Sequence, residues 1–215
     1  MDLKLFNCNH NQVLTKEQKI EMIKLAAIQY RKFMVALGID IENDPNSRGT
    51  PLRVAKMMVT ELCKGRYNKK PNIRSFPNQE QYDQIIFTNC ETISLCAHHM
   101  VPIQNKIFIG VLSNPDPNSR LIGLSKYTRI AEWIANRPTI QEDMTKQIHN
   151  EINNICEKNK GVMVYIIGQH GCTTFRGVKQ TNAKMITSCV SGAFKEDQSV
   201  KDEFMNMVNN VLRSN

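Results

Sequence analysis

No apolar run in this 215-residue chain approaches the roughly 20 residues needed to span a bilayer. Asp2 and Lys4 interrupt any secretory hydrophobic stretch at the start, so a cytoplasmic address is expected. A disulfide framework is missing too, because the seven cysteines are odd in number and unevenly spaced. The chain is basic, with a formal net charge of +8, yet it has no long Lys/Arg block. Lys69-Lys70 is only a pair, and aromatic and basic residues do not alternate as they do in RNA-binding modules. Scattered positive charge of this kind favours a phosphorylated small molecule over nucleic acid or a membrane surface. Internal repeats and low-complexity segments are also lacking.

What is there suits a globular protein with a sizeable core. Residues 1–14 read as a loosely held tail. Thr15 to Gln18 reads as a capping box opening a helix that ends at Gly38. Thr50, as N-cap, and Pro51 open a second helix running to Gly65. Its Arg53 and Lys56 share a face, and by spacing alone that face is solvated. After a loop over 66–84, Ile85 to Leu95 and Ile103 to Leu112 read as strands. Ser125 can cap a helix whose first turns carry Lys126 and Arg129, either an anion seat or an ordinary capped helix. Arg137-Pro138 opens a long helix to Lys158, with Gln141 and Glu142 in a first turn where acidic residues complement the helix dipole. Val162 to Ile167, a strand pair around Met185 to Phe194, and a final helix capped by Ser199 complete the chain. Cys63, Cys156 and Cys189 lie in apolar periodic segments and read as core, while Cys8 and Cys90 stay open.

Two clusters stand apart from this pattern. Cys96-Ala97-His98-His99 closes one strand, and His170-Gly171-Cys172 follows another. Together Cys96, His99 and Cys172 would offer zinc two sulfurs and one nitrogen, leaving a fourth position open as in catalytic sites. His98 and His170 would flank that position. A buried thiol beside a hydrogen-bonded histidine is the plainer reading of each cluster alone, and His149 reads as such a bystander. Adjacent histidines, a second His-x-Cys and a shared position at strand ends weigh for the metal.

Read in order, these segments resemble the GTP cyclohydrolase I family over roughly residues 15–213. The resemblance rests on Thr50 to Met57, Cys96 to His99, Ile122 to Lys126 with Arg129, Arg137 to Glu142, His170 to Cys172 with Arg176-Gly177, and Thr187 to Phe194. It implies an α+β, tunnel-type fold: an antiparallel sheet of two hairpins, a helical pair inserted between them at about 124–136 and 138–159, and helices in front. An N-terminal tail and helical region would cover 1–70 and a catalytic domain 71–215. It also implies a homodecamer of two stacked pentamers with active sites between subunits, and conversion of GTP and water to 7,8-dihydroneopterin triphosphate and formate. By position, Cys96, His99 and Cys172 would hold Zn2+, and His98 and His170 would transfer protons. Glu142, with Gln141 beside it, would read guanine. Arg53, Lys56, Ser125, Lys126, Arg129 and Arg176 would hold the triphosphate.

Two departures stand out. Ala97 replaces an acidic residue usual in the family, which puts rate, pH optimum and ligand orientation in question. Gly171 replaces a residue that is often bulkier, and is expected to loosen the downstream ligand. The competing readings are another tunnel-fold enzyme, disfavoured by the ligand set, and a catalytically weakened family member kept as a structural or regulatory subunit.

Overall fold

A computed structural model of the chain describes residues 5–214. Helix α1 (Lys16–Ala36) starts as predicted, with Thr15 and Gln18 satisfying each other's free backbone donors. It ends at Leu37, where the amides of Gly38 and Ile39 turn back to Val35 and Met34. Helix α2 (Thr50–Met57) has Gly49 rather than Thr50 as its cap, so the predicted start shifts by one residue. The expected run to Gly65 is broken by a π-helical turn over Met58–Leu62, in which the Cys63 amide reaches Met58 O. A single turn, α3 (Lys64–Tyr67), follows.

The N-terminal segment is docked rather than loose over its described part, and residues 1–4 of the predicted tail lie outside the described residues. The Arg66 guanidinium donates to Phe6 O, Asn7 O and Cys8 O and stacks 3.8 Å from the Phe6 ring centroid. Asn11 donates to Gly65 O and Asn68 O, while the amides of Gln12 and Leu14 bond to Arg66 O and Tyr67 O. A polar segment without apolar periodicity is held here by main-chain carbonyls, which sequence periodicity does not report.

Beyond short β1 (Phe76–Pro77) come β2 (Ile85–Cys96) and β3 (Pro102–Leu112), then β4 (Arg120–Leu121), which pairs with β1. Helix α4 (Leu124–Ala135), β5 (Pro138–Thr139) and α5 (Gln141–Ile155) separate β3 from β6 (Gly161–His170). After one-turn α6 (Gly171–Thr174) come β7 (Met185–Val190), α7 (Ala193–Glu196) and α8 (Gln198–Ser214). The main sheet runs β5-β2-β3-β6-β7, antiparallel except for β5 against β2. The fold is α+β, with a helical pair between two hairpin-like strand pairs.

One face of the sheet is covered by α4 and α5 and the other only around Phe108 and Met163, so strand alternation divides the core. Ile93, Gln104 and Ile186 stay exposed toward the other end of that second face. Ile107, Ile109, Val111, Val162, Val164 and Ile166 face α4 and α5, meeting Tyr127, Ile130, Ile134, Met144 and Ile148. The intervening Phe108 and Met163 face Phe194, Phe204 and Val208 of α7 and α8. Cys156 is core as predicted, and Cys63 is buried, whereas Cys189 on the edge strand β7 is only half-buried. His149 is buried and bonded to Ser191 Oγ at 3.0 Å, the bystander expected.

Four further boundaries move. Pro138 and Thr139 are extended, because their backbone pairs with Leu95 and Cys96, and the helix predicted from 138 begins at Gln141. Gly123, not Ser125, is the cap of α4. The predicted last strand pair is one strand followed by a helical turn. At the start of α8, Asp197 rather than Ser199 supplies the capping oxygen, accepting from the Ser199 amide at 2.8 Å. No described helix is long and apolar enough to cross a membrane.

Candidate metal centre

Two pairings bring the distant clusters together. The register of β3 with β6 sets Ile103 opposite His170, one residue after the Leu95–Pro102 pair that closes the β2–β3 hairpin. The parallel pairing of β5 ties Cys96 to Thr139, and the Ala97 amide donates to Thr139 O at 3.1 Å. Thus the hairpin turn, the end of β6 and the N-terminus of α5 meet at one end of the sheet.

The turn itself is tight. The Cys96 amide donates to Val101 O and the Met100 amide to Cys96 O, at 2.9 and 2.8 Å. Met100 takes a left-handed φ of 55°, uncommon for a residue with a side chain. Cys96 is buried at the strand end, whereas His98 and His99 are exposed on the turn. One ring nitrogen of His98, Nδ1, lies 3.9 Å from Cys96 Sγ.

Ligand atoms of Cys96, His99 and Cys172 all lie within 4.8 Å of one another. Two thiols and an imidazole make a borderline-soft donor set of the type that suits zinc, with three protein ligands. Donor chemistry and convergence therefore both fit the ion. Arg176 donates to His99 Nε2 at 2.7 Å. A neutral imidazole that binds a metal through one nitrogen carries a proton on the other, and a guanidinium can only donate. Metal binding at His99 therefore requires Arg176 to let go of this ring.

His170 is half-buried, and burial pushes its pKa down against the opposing charge of Glu142. Its Nε2 lies 2.9 Å from Gln141 Oε1. Glu142 is exposed, but Gln141 is fully buried and its amide is wholly engaged within the protein. The structure thus assembles Cys96, His98, His99, His170, Cys172, Gln141, Glu142 and Arg176.

It leaves others apart. Ser125, Lys126 and Arg129 lie on the first turns of α4, with Ser125 and Arg129 exposed. Arg53 donates to Asn46 O and Thr50 Oγ1, and Lys56 is exposed beside it on α2. Among the described residues no hydrogen bond or ion pair ties these five to the cluster. Sequence reasoning missed Gly168, Thr145 and Thr187, which surround the Gln141 amide. A glycine inside a strand is the one signal that pointed there.

Gly171 is closely packed. A Cβ at this position would lie 2.8 Å from Pro102 O and 2.5 Å from Phe175 Cε1, so α6 packs directly on the start of β3. The space a bulkier side chain would need is filled, which weighs against the expected loosening of Cys172.

A sequence profile of the family described as GTP cyclohydrolase I matches residues 26–209. A relative named GTP cyclohydrolase 1 from Buchnera aphidicola subsp. Schizaphis graminum is 34% identical over 197 residues, covering 91% of this chain and 86% of its own. One of the same name from Flavobacterium johnsoniae is 35% identical, covering 91% of this chain and 84% of its own. A third, from Pasteurella multocida, is 33% identical over 200 residues, covering 92% and 89%. Among solved structures, the archaeosine synthase QueF-Like in its apo form superposes with a TM-score of 0.42 at 7% identity, over 52% of this chain and 96% of that one. That last likeness is too distant to carry an argument. Matches along nearly the whole length establish that the chain belongs to the GTP cyclohydrolase I family.

Proposed function

We propose that this protein opens the imidazole ring of GTP hydrolytically and rearranges the product to 7,8-dihydroneopterin triphosphate, releasing formate. Family membership supports the reading, and one observation carries it: Cys96, His99 and Cys172 converge within 4.8 Å beside His170. The three residues would hold zinc, which supplies the activation of water that attack at C8 of the purine needs.

The remaining steps fall to the chain's own residues. His98 and His170 exchange protons with the purine ring nitrogens as the ring opens, work suited to a side chain titrating near neutrality. Glu142 accepts from N1 and the exocyclic amine of guanine, which leaves adenine poorly matched because the carboxylate would lose its donors. Arg176, once released from His99, joins Arg53, Lys56, Ser125, Lys126 and Arg129 on the triphosphate, where guanidinium forks and ammonium groups pair with phosphate oxygens.

Those last five residues lie apart from the cluster within one chain, which supports sites completed between subunits. We place them in a homodecamer of two stacked pentamers with a tunnel-type fold. Exposed apolar side chains along α1, among them Ile20, Ile28 and Phe33, are consistent with further burial on assembly. A cytoplasmic location, where thiols stay reduced, suits the ligand pair. The product would feed pterin, folate or 7-deazaguanine synthesis.

The test is incubation of the purified, zinc-loaded protein with GTP, following formate release and the fluorescence of the oxidised pterin. Turnover in the parent and none in Cys172→Ala is the expected result. No turnover in correctly assembled parent would overturn the enzyme reading in favour of a structural or regulatory subunit, with Ala97 as its mark.

A further inference from the structure

Gln141 opens helix α5 with no exposed surface. Its Nε2 lies 3.2 Å from Ile166 O, 3.0 Å from Met185 O and 3.0 Å from Thr187 Oγ1. Two of these are main-chain carbonyls, which only accept, so this end of the amide is the donor and the other is oxygen. That oxygen, Oε1, faces His170 Nε2 at 2.9 Å. A carboxamide oxygen has no hydrogen to give. The neutral His170 ring must therefore carry its proton on Nε2, which leaves the lone pair on Nδ1.

The amide cannot readily turn over, because its neighbours are locked as well. Thr145 Oγ1 lies 2.7 Å from Gln141 O, which only accepts, so the Thr145 hydrogen is committed there. The 2.6 Å contact between the two threonine hydroxyls then uses the Thr187 hydrogen. Thr187 Oγ1 in turn accepts from Gln141 Nε2. The bonds run in a closed circuit from the Gln141 side chain through both threonines to the Gln141 main chain. Reversing the amide would set its oxygen against two carbonyls and break that circuit. The space is reserved too, since a Cβ on Gly168 would fall 2.0 Å from Gln141 Oε1.

We propose that Gln141 is a positioning residue: it holds the His170 ring through Nε2–H and leaves Nδ1 as the nitrogen presented to the substrate. The assignment rests on the reading of His170 as a proton-transfer residue in the proposed reaction. It takes Gln141 out of the set that touches guanine and makes it the support of the neighbouring histidine.

Nitrogen-15 solid-state spectra of the zinc-loaded, histidine-labelled protein test the tautomer directly. At about pH 8.5, two units above the ordinary histidine value, the neutral His170 ring should show a protonated Nε2 and a bare Nδ1. His170→Asn serves only to assign the signal. A protonated Nδ1 would overturn the proposal whether or not the protein turns over GTP. Kinetics supply the second arm. Gln141→Ala and Gly168→Ala should each lower kcat for GTP about 10- to 100-fold, with KM and bound zinc within about twofold of the parent. The double variant should be no worse than either single, because the methyl added at position 168 fills the place that the Gln141 side chain vacates. A rise in KM at unchanged kcat would instead make Gln141 a substrate contact and sink the idea. Absence of turnover in the parent would refute the proposed reaction, and the tautomer spectrum alone would then decide the role of Gln141.

Discussion

Gly171→Ala is a one-methyl test of how the ligand set is held. The methyl would meet the Phe175 ring at 2.5 Å and Pro102 O at 2.8 Å. Phe175 is 61% exposed and can swing outward, losing only part of its packing. The carbonyl cannot, because Pro102 opens β3 and pairs with Leu95. Ordinary contact requires α6 and the start of β3 to separate by about 0.6 Å. Overpacking of this kind costs about 1–3 kcal/mol, and replacing a glycine returns about 0.4–1 kcal/mol through the unfolded chain. The net loss is about 1–2 kcal/mol, a fall in Tm of about 4 °C for a chain of this size. The same displacement moves Cys172 relative to the turn that carries Cys96 and His99, so metal affinity should weaken about tenfold. Thermal unfolding in chelator at fixed protein concentration reads the first effect. Competition with a chromophoric chelator reads the second. An unchanged Tm together with unchanged metal affinity would refute the argument that glycine is there to let α6 seat on β3.

Other perturbations test separate parts of the structure. Phe204 is fully buried against Phe87 and Phe194, with ring centroids 5.5 and 5.9 Å away, so Phe204→Ala should cost about 3–5 kcal/mol in denaturant unfolding. Arg66→Ala removes the cation that gathers Phe6 O, Asn7 O and Cys8 O, and amide exchange over residues 6–14 should rise while the sheet stays protected. Burial holds the Cys63, Cys90 and Cys156 thiols up at about 11, against 9.0 for an exposed one. The unfolded chain therefore loses these protons first, and stability should decline as pH rises from about 9 to 11. Stability that is flat across that range would show the thiols to be solvated. Iodoacetamide at neutral pH should label exposed Cys8 and spare these three.

Much of this was legible in the chain because local chemistry decides it. The Thr15 and Gln18 caps, the strands over Ile85 to Leu95 and Ile103 to Leu112, and the siting of both clusters at strand ends follow from spacing alone. What was hidden depends on partners far away in sequence. Pro138 looks like a helix start because proline suits a first turn, yet Leu95 and Cys96 take its segment into a parallel pair. Arg66 looks like one more surface cation, and nothing local announces that four carbonyls of the N-terminal segment converge on it. Gln141 looks like the neighbour of Glu142 in an ordinary first helical turn, and only the packing of β6 and β7 shows where its amide goes.

The division between buried and exposed residues carries its own argument about mechanism. Cys96 and His170, whose proposed tasks demand exact placement, sit on paired strands, and Gln141, the proposed support of His170, is fully buried at the start of α5. The basic residues assigned to the triphosphate are mostly exposed side chains on helices at the edge of the fold. That asymmetry suits the two tasks. Positioning a proton donor demands rigidity, because a misplacement of about 1 Å can cost a hundredfold in rate. Holding a polyanion needs only charge within reach, and flexible cations supplied by separate elements can close on it after it arrives. Arg176 stands between the two regimes, since its bond to His99 Nε2 and metal binding on that ring exclude each other. Arg176→Ala should accordingly tighten metal binding in the absence of nucleotide while weakening GTP binding to the loaded protein. Metal affinity that falls with the arginine removed would mean that the guanidinium supports the ligand rather than competing for it.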